Sequence, residues 1–99
     1  MYSTKFDELE DVLVDEESTT GLQSQLIVYN DDFNTFDWVI KCLMDICHHT
    51  SEQSEQLSLL IHFKGKATVK TDAFPVLKPM KDALTERGLS AVIESLVEE

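Results

Sequence analysis

The apolar residues of this chain change period along its length, and each change marks an element. Leu26-Ile27-Val28-Tyr29 is a continuous β-branched and aromatic run, which predicts a strand. Asn30 to Asn34 break it with residues that favour turns. Phe36, Val39, Ile40, Leu43 and Ile46 then follow helical spacing and predict a first helix, fraying near His48-His49. Thr50-Ser51-Glu52-Gln53 matches a capping box, in which Thr50 caps and Gln53 reaches back. The second helix that follows carries Ser54, Leu57, Ser58, Ile61 and His62 on neighbouring faces, and Gly65 is placed to end it. Residues 66–71, KATVKT, alternate like a strand with Ala67 and Val69 on one face. DAFPVLK reads as a loop containing Pro75, and Pro79 suits the first turn of a third helix, with Met80 and Leu84 in the core and Gly88 as its stop. LSAVIES predicts a last short strand.

The order β, α, α, β, α, β in a chain this short predicts an α+β domain, with helices packed on one face of a small sheet. Residues 1–23 stand apart. They hold seven acids against one lysine and few apolar residues, and are expected to form a flexible acidic arm preceding a single domain over 24–99.

Charge narrows the function. Acids outnumber bases 19 to 8, for a net charge of -11. A nucleic-acid binder needs a basic footprint, and an anionic membrane repels such a chain, so neither partner is expected. A cationic ligand or a basic partner fits better. No apolar run approaches the ~20 residues of a membrane span. Met1 is followed by acidic sequence rather than a basic and then an apolar region, so no signal peptide is expected. Cys42 and Cys47, five apart in a helical pattern, read as core or semi-buried thiols of a reducing cytosol rather than a disulfide framework.

Among candidate chemical groups, Asn30-Asp31-Asp32 reads two ways: an Asx turn leading into a helix N-terminus, or a set of acceptors converging on a cation. The spacing is not that of an EF-hand loop, and no metal or other cofactor is expected. His62 reads as a residue near a helix end, with apolar neighbours Ile61 and Phe63. Cys42 and Cys47 have His48 and His49 nearby but not on an obviously shared face, so no nucleophile–base pair stands out. Lysines 64, 66, 70, 78 and 81 read either as a solvated face or as a docking patch for an acidic partner.

The segments LIVYNDDFNTFDWVIKCLMDIC and SEQSEQLSLLIHFKGKA together resemble the ClpS adaptors of bacterial Clp proteases. The likeness rests on the apolar strand, Asn30-Asp31-Asp32, the helix from Val39 to Leu43, and His62-Phe63-Lys64-Gly65-Lys66-Ala67. It extends over roughly residues 25 to 95. It implies the ClpS-like fold, a three-stranded antiparallel sheet against three helices, and an adaptor rather than an enzyme. Such a protein binds N-degron (N-end rule) substrates that begin with Leu, Phe, Tyr or Trp. It passes them to the N-terminal domain of a ClpA- or ClpC-type AAA+ unfoldase in the bacterial cytoplasm, acting as a monomer. Carried over by residue, the ligand ammonium is held by Asn30, His62 and Asp31 or Asp32. The side chain enters a pocket of Val28, Phe36, Val39, Ser58, Ile61 and Leu89. Ser58 and Phe36 stand where many family members carry methionine. The competing readings are a domain of this fold that has lost amine binding, and an enzyme using Asp31, Asp32 and His62.

Overall fold

The structure, a computed structural model, describes residues 23–96. The expected arm lies outside that range except for Gln23, whose carbonyl accepts a hydrogen bond from Leu96 N at 3.0 Å. The elements are β1 (Ser24–Tyr29), α1 (Phe36–Cys47), α2 (Ser51–Lys64), β2 (Lys66–Asp72), α3 (Phe74–Glu86) and β3 (Ser90–Ser95). The sheet is antiparallel throughout, in the order β2-β1-β3. The α+β class and the element order are those the sequence predicts.

β1 is the central strand, and its apolar run follows from that position: Leu26, Ile27 and Val28 are all buried. Leu26 and Val28 join the core with Ala67 and Val69 of β2, Ala91 of β3 and the inward residues of the helices. The β1–β2 register shifts between Leu26, paired with Lys70, and Ile27, paired with Thr68. Val69 is therefore a bulged position, and its carbonyl accepts a hydrogen bond from His49 Nε2. A carbonyl can only accept, so His49 Nε2 is the donor.

α1 ends at His48, which adopts a left-handed conformation (φ 62°), an uncommon one for a side chain with a Cβ. Cys42 and Cys47 are free and buried on its inner face. Burial pushes the Cys47 thiol up to about 11, so neither the charge nor the reactivity of a thiolate is supplied there.

The third helix differs from expectation at its start. It begins at Phe74, not near Pro79, and the segment read as a loop supplies Leu77, which is fully buried. Pro75 occupies the first turn, where a missing N–H breaks no helical bond, and Ala73 O accepts from Val76 N and Leu77 N at 3.0 and 3.2 Å. Pro79 lies inside the helix and withdraws the donor for Pro75 O; both prolines are on the exposed side. Gly88 (φ 94°) stops α3 as expected. Gly88 N donates to Thr85 O and Leu89 N to Leu84 O, both at 3.0 Å, a Schellman closure that presses Leu89 against the core.

No helix among the described residues is long and apolar enough to cross a membrane. The lysines fall on separate elements: Lys66 and Lys70 on edge strand β2, where charge discourages further strand pairing, and Lys78 and Lys81 on α3 beside Asp82.

The capping box of α2 is formed in both directions: Gln53 N donates to Thr50 Oγ1 at 3.1 Å and Thr50 N to Gln53 Oε1 at 3.3 Å. Thr50→Ala removes the acceptor and is expected to lower unfolding free energy by about 1 kcal/mol. Urea denaturation with an unchanged m-value measures it.

Candidate functional site

The site forms where β1 leaves the sheet. Asn30 N donates to Gly65 O at 2.9 Å, which brings the end of β1 to the end of α2. Gly65 permits this because its φ of 93° turns the chain sharply after Lys64, and only glycine takes that conformation freely.

The following loop is held by Asp31. One carboxylate oxygen, Oδ1, accepts from Phe33 N and Asn34 N, both at 2.8 Å, and Oδ2 accepts from Asn34 Nδ2 at 2.7 Å. Partial burial pushes this carboxyl up, but the bonds from Asn34 and Phe33 outweigh it and hold it below the usual value. Asn34 Nδ2 also donates to Gly88 O at 2.9 Å, and Trp38 Nε1 donates to Arg87 O at 3.0 Å. The loop and α1 are thereby tied to the turn between α3 and β3. Thr35 then caps α1 by accepting from Trp38 N at 3.1 Å.

These constraints enclose a cavity of about 490 Å³ between the loop, α1 and α2. Its polar side consists of Asn30, Asp31, Asp32, Asn34 and His62; its other side consists of Phe36, Val39, Ser58, Leu59 and Ile61. Asp31 is the residue the Asx-turn reading describes, with both oxygens engaged by the loop. The Asn30 and Asp32 side chains make no hydrogen bond among the described residues and are exposed. His62 is exposed and meets Phe63 edge-on, with ring centroids 5.0 Å apart. Phe36 is 38% exposed, whereas Ile61 is 3% exposed and Val39 half-buried, so the apolar side deepens away from the solvent.

Eight of the ten residues singled out from the sequence line this cavity. Val28 and Leu89 do not. They are 1% and 4% exposed and belong to the core that supports the cavity rather than to its lining. Asn34 and Leu59 line it and were not singled out. Leu59 precedes His62 by three residues, a helical neighbour spacing that points to it. Asn34 has no comparable signal, because its partner Gly88 lies 54 residues away. Among the described residues, no group of three or more His, Cys, Asp or Glu side chains could hold a metal ion.

A convergent set of acceptors beside an apolar slot suits a small cation that carries an apolar group. The family model described as ATP-dependent Clp protease adaptor protein ClpS matches residues 21–92. The ClpS adapter of Acetivibrio thermocellus is 32% identical over 63 residues, 64% of this chain and 63% of that protein. The ClpS adapter of Erwinia tasmaniensis is 36% identical over 62 residues, 63% of this chain and 58% of that protein. The chain thus spans less than two thirds of the length of these curated relatives. The solved structure of Agrobacterium tumefaciens ClpS2 bound to L-phenylalaninamide superposes with a TM-score of 0.69. That match is at 18% identity and covers 75% of this chain and 96% of that one, which establishes a shared fold.

Asp31→Asn keeps one carbonyl oxygen but sets an NH₂ against the Asn34 amide, and is expected to destabilise the protein at neutral pH. The Asp31 carboxyl titrates lower in the folded protein than its ordinary 3.8. Its stabilisation is therefore complete above about pH 4 and lost as pH falls through the depressed folded value. Urea denaturation across this range should show the gap between wild type and Asp31→Asn closing towards low pH.

Proposed function

The chain belongs to the ClpS family of Clp protease adaptors, and on that premise we propose that it is a non-catalytic N-degron adaptor. It captures proteins that begin with Leu, Phe, Tyr or Trp and delivers them to a ClpA- or ClpC-type AAA+ unfoldase of the bacterial cytoplasm. The observation that carries this reading is the meeting of Asn30, Asp32 and His62 with Phe36, Val39 and Ile61 in one cavity.

A free α-ammonium has three donors, a charge and no acceptor. Asn30 and His62 offer it acceptors, and Asp32 adds a charge-assisted bond. Asp31 holds the loop in place, since both of its oxygens are already engaged. An internal peptide nitrogen has one hydrogen and no charge, and would leave those acceptors unmatched. That penalty selects chain ends. L-phenylalaninamide, the ligand of the ClpS2 relative, combines a primary amine with an apolar ring. A ligand of that chemistry suits both sides of the cavity here.

Delivery uses the acidic residues 1–23, which engage the unfoldase while the domain holds the substrate. Deleting residues 1–22 is expected to preserve peptide affinity while slowing degradation of an N-degron reporter by the cognate Clp protease. Full-rate degradation without them would remove that role.

The binding test is fluorescence anisotropy with a peptide beginning in Phe, free or acetylated at its amine. Binding is expected only for the free form. Asn30→Ala and His62→Ala should each weaken it by about 1–3 kcal/mol, with unchanged thermal unfolding. Equal affinity for the acetylated peptide would instead support an interaction domain without amine recognition.

A further inference from the structure

α2 buries two serines four residues apart. Ser54 is fully enclosed and Ser58 is 3% exposed, and neither hydroxyl has a hydrogen-bond partner. A serine inside a helix commonly turns its hydroxyl back to the carbonyl one turn earlier, and buried polar atoms without partners are few. The two serines differ in one respect: Ser58 lines the cavity and Ser54 does not. Ser58 also lies one turn before His62, about 6 Å along the helix axis. A tyrosine side chain spans a similar length from its α-carbon to its hydroxyl.

We propose that Ser58 is a specificity-determining residue, which makes the cavity prefer N-terminal tyrosine to phenylalanine by pairing with the phenolic O–H. The proposal rests on the cavity being the receptor for a free N-terminal residue. With the ammonium at Asn30, Asp32 and His62, the ring passes between Phe36, Val39 and Ile61, and the phenol oxygen reaches the Ser58 level. Serine and phenol are each both donor and acceptor, and serine needs only a χ1 rotation to present its oxygen. Phenylalanine and leucine fill the same slot and leave the Ser58 hydroxyl unmatched. A site with a buried polar group discriminates against ligands that cannot pair with it.

Two peptides differing only in their first residue, Tyr or Phe, test this by anisotropy on the wild type, Ser58→Ala and Ser54→Ala. The wild type is expected to bind Tyr about five-fold more tightly, the worth of one net hydrogen bond. Ser58→Ala should bring the ratio to near one by weakening Tyr relative to Phe, with an unchanged thermal transition as the control for folding. Ser54→Ala removes an equally buried hydroxyl away from the cavity and should keep the wild-type ratio. A wild-type ratio near one, a preference that survives in Ser58→Ala, or an equal loss in Ser54→Ala would overturn the proposal while leaving amine recognition intact. If neither peptide binds the wild type, or acetylated forms bind equally, the adaptor reading fails and this proposal with it.

Discussion

A single main-chain hydrogen bond, Asn30 N–H to Gly65 O at 2.9 Å, joins the two places where β1 and α2 end. It carries the β1–β2 ladder one step past Tyr29 and Lys66, so the loop after β1 sits over the last turn of α2 and polar groups from both meet at one mouth. The bond is possible because Gly65 turns at positive φ and because β1, as the central strand, is fixed on both sides. A central strand is the least mobile place in so small a sheet from which to hang a loop.

The three acceptor-rich residues at positions 30 to 32 divide their work. Asp31 is spent on the loop itself: three hydrogen bonds converge on its carboxylate, and Asn34 carries the constraint onward to Gly88. Asn30 and Asp32 retain their side chains for other partners. The Asx-turn reading of this motif describes Asp31, and the proposed amine recognition draws on Asn30 and Asp32. A rigid loop is what lets exposed acceptors keep a fixed geometry, since each side chain ordered only on binding would add an entropic cost of about 0.5–1.5 kcal/mol.

Cys42, Cys47, His49 and Arg87 are engaged in packing and bracing. Cys42 and Cys47 are raised by burial, the former against the opposing pull of Arg87, and pack as small apolar groups. His49 holds the bulged carbonyl of Val69. Arg87 pairs with Asp45 at 3.1 Å and lies over the Trp38 ring, bracing α1 against the α3–β3 turn. Together these position Phe36 and Val39 on the same helix.

The sequence by itself determined the class, the element order, the capping box at Thr50, the glycine stops at Gly65 and Gly88, and most of the cavity. These are local: period, cap chemistry and positive-φ glycine are each written within a few residues. Two prolines misdirected the start of α3, because Pro75 and Pro79 carry the same helix-start signal, and burial of Leu77 selects the earlier one. Only the tertiary structure placed Val28 and Leu89 in the core behind the cavity. An apolar residue beside a site has the same pattern whether it faces the slot or the interior. Only it revealed Asn34 as the tie to Gly88, and the hydroxyls of Ser54 and Ser58 as buried without partners. Those facts depend on which distant groups come within about 3 Å of each other, and no local pattern encodes a meeting between residues 54 positions apart.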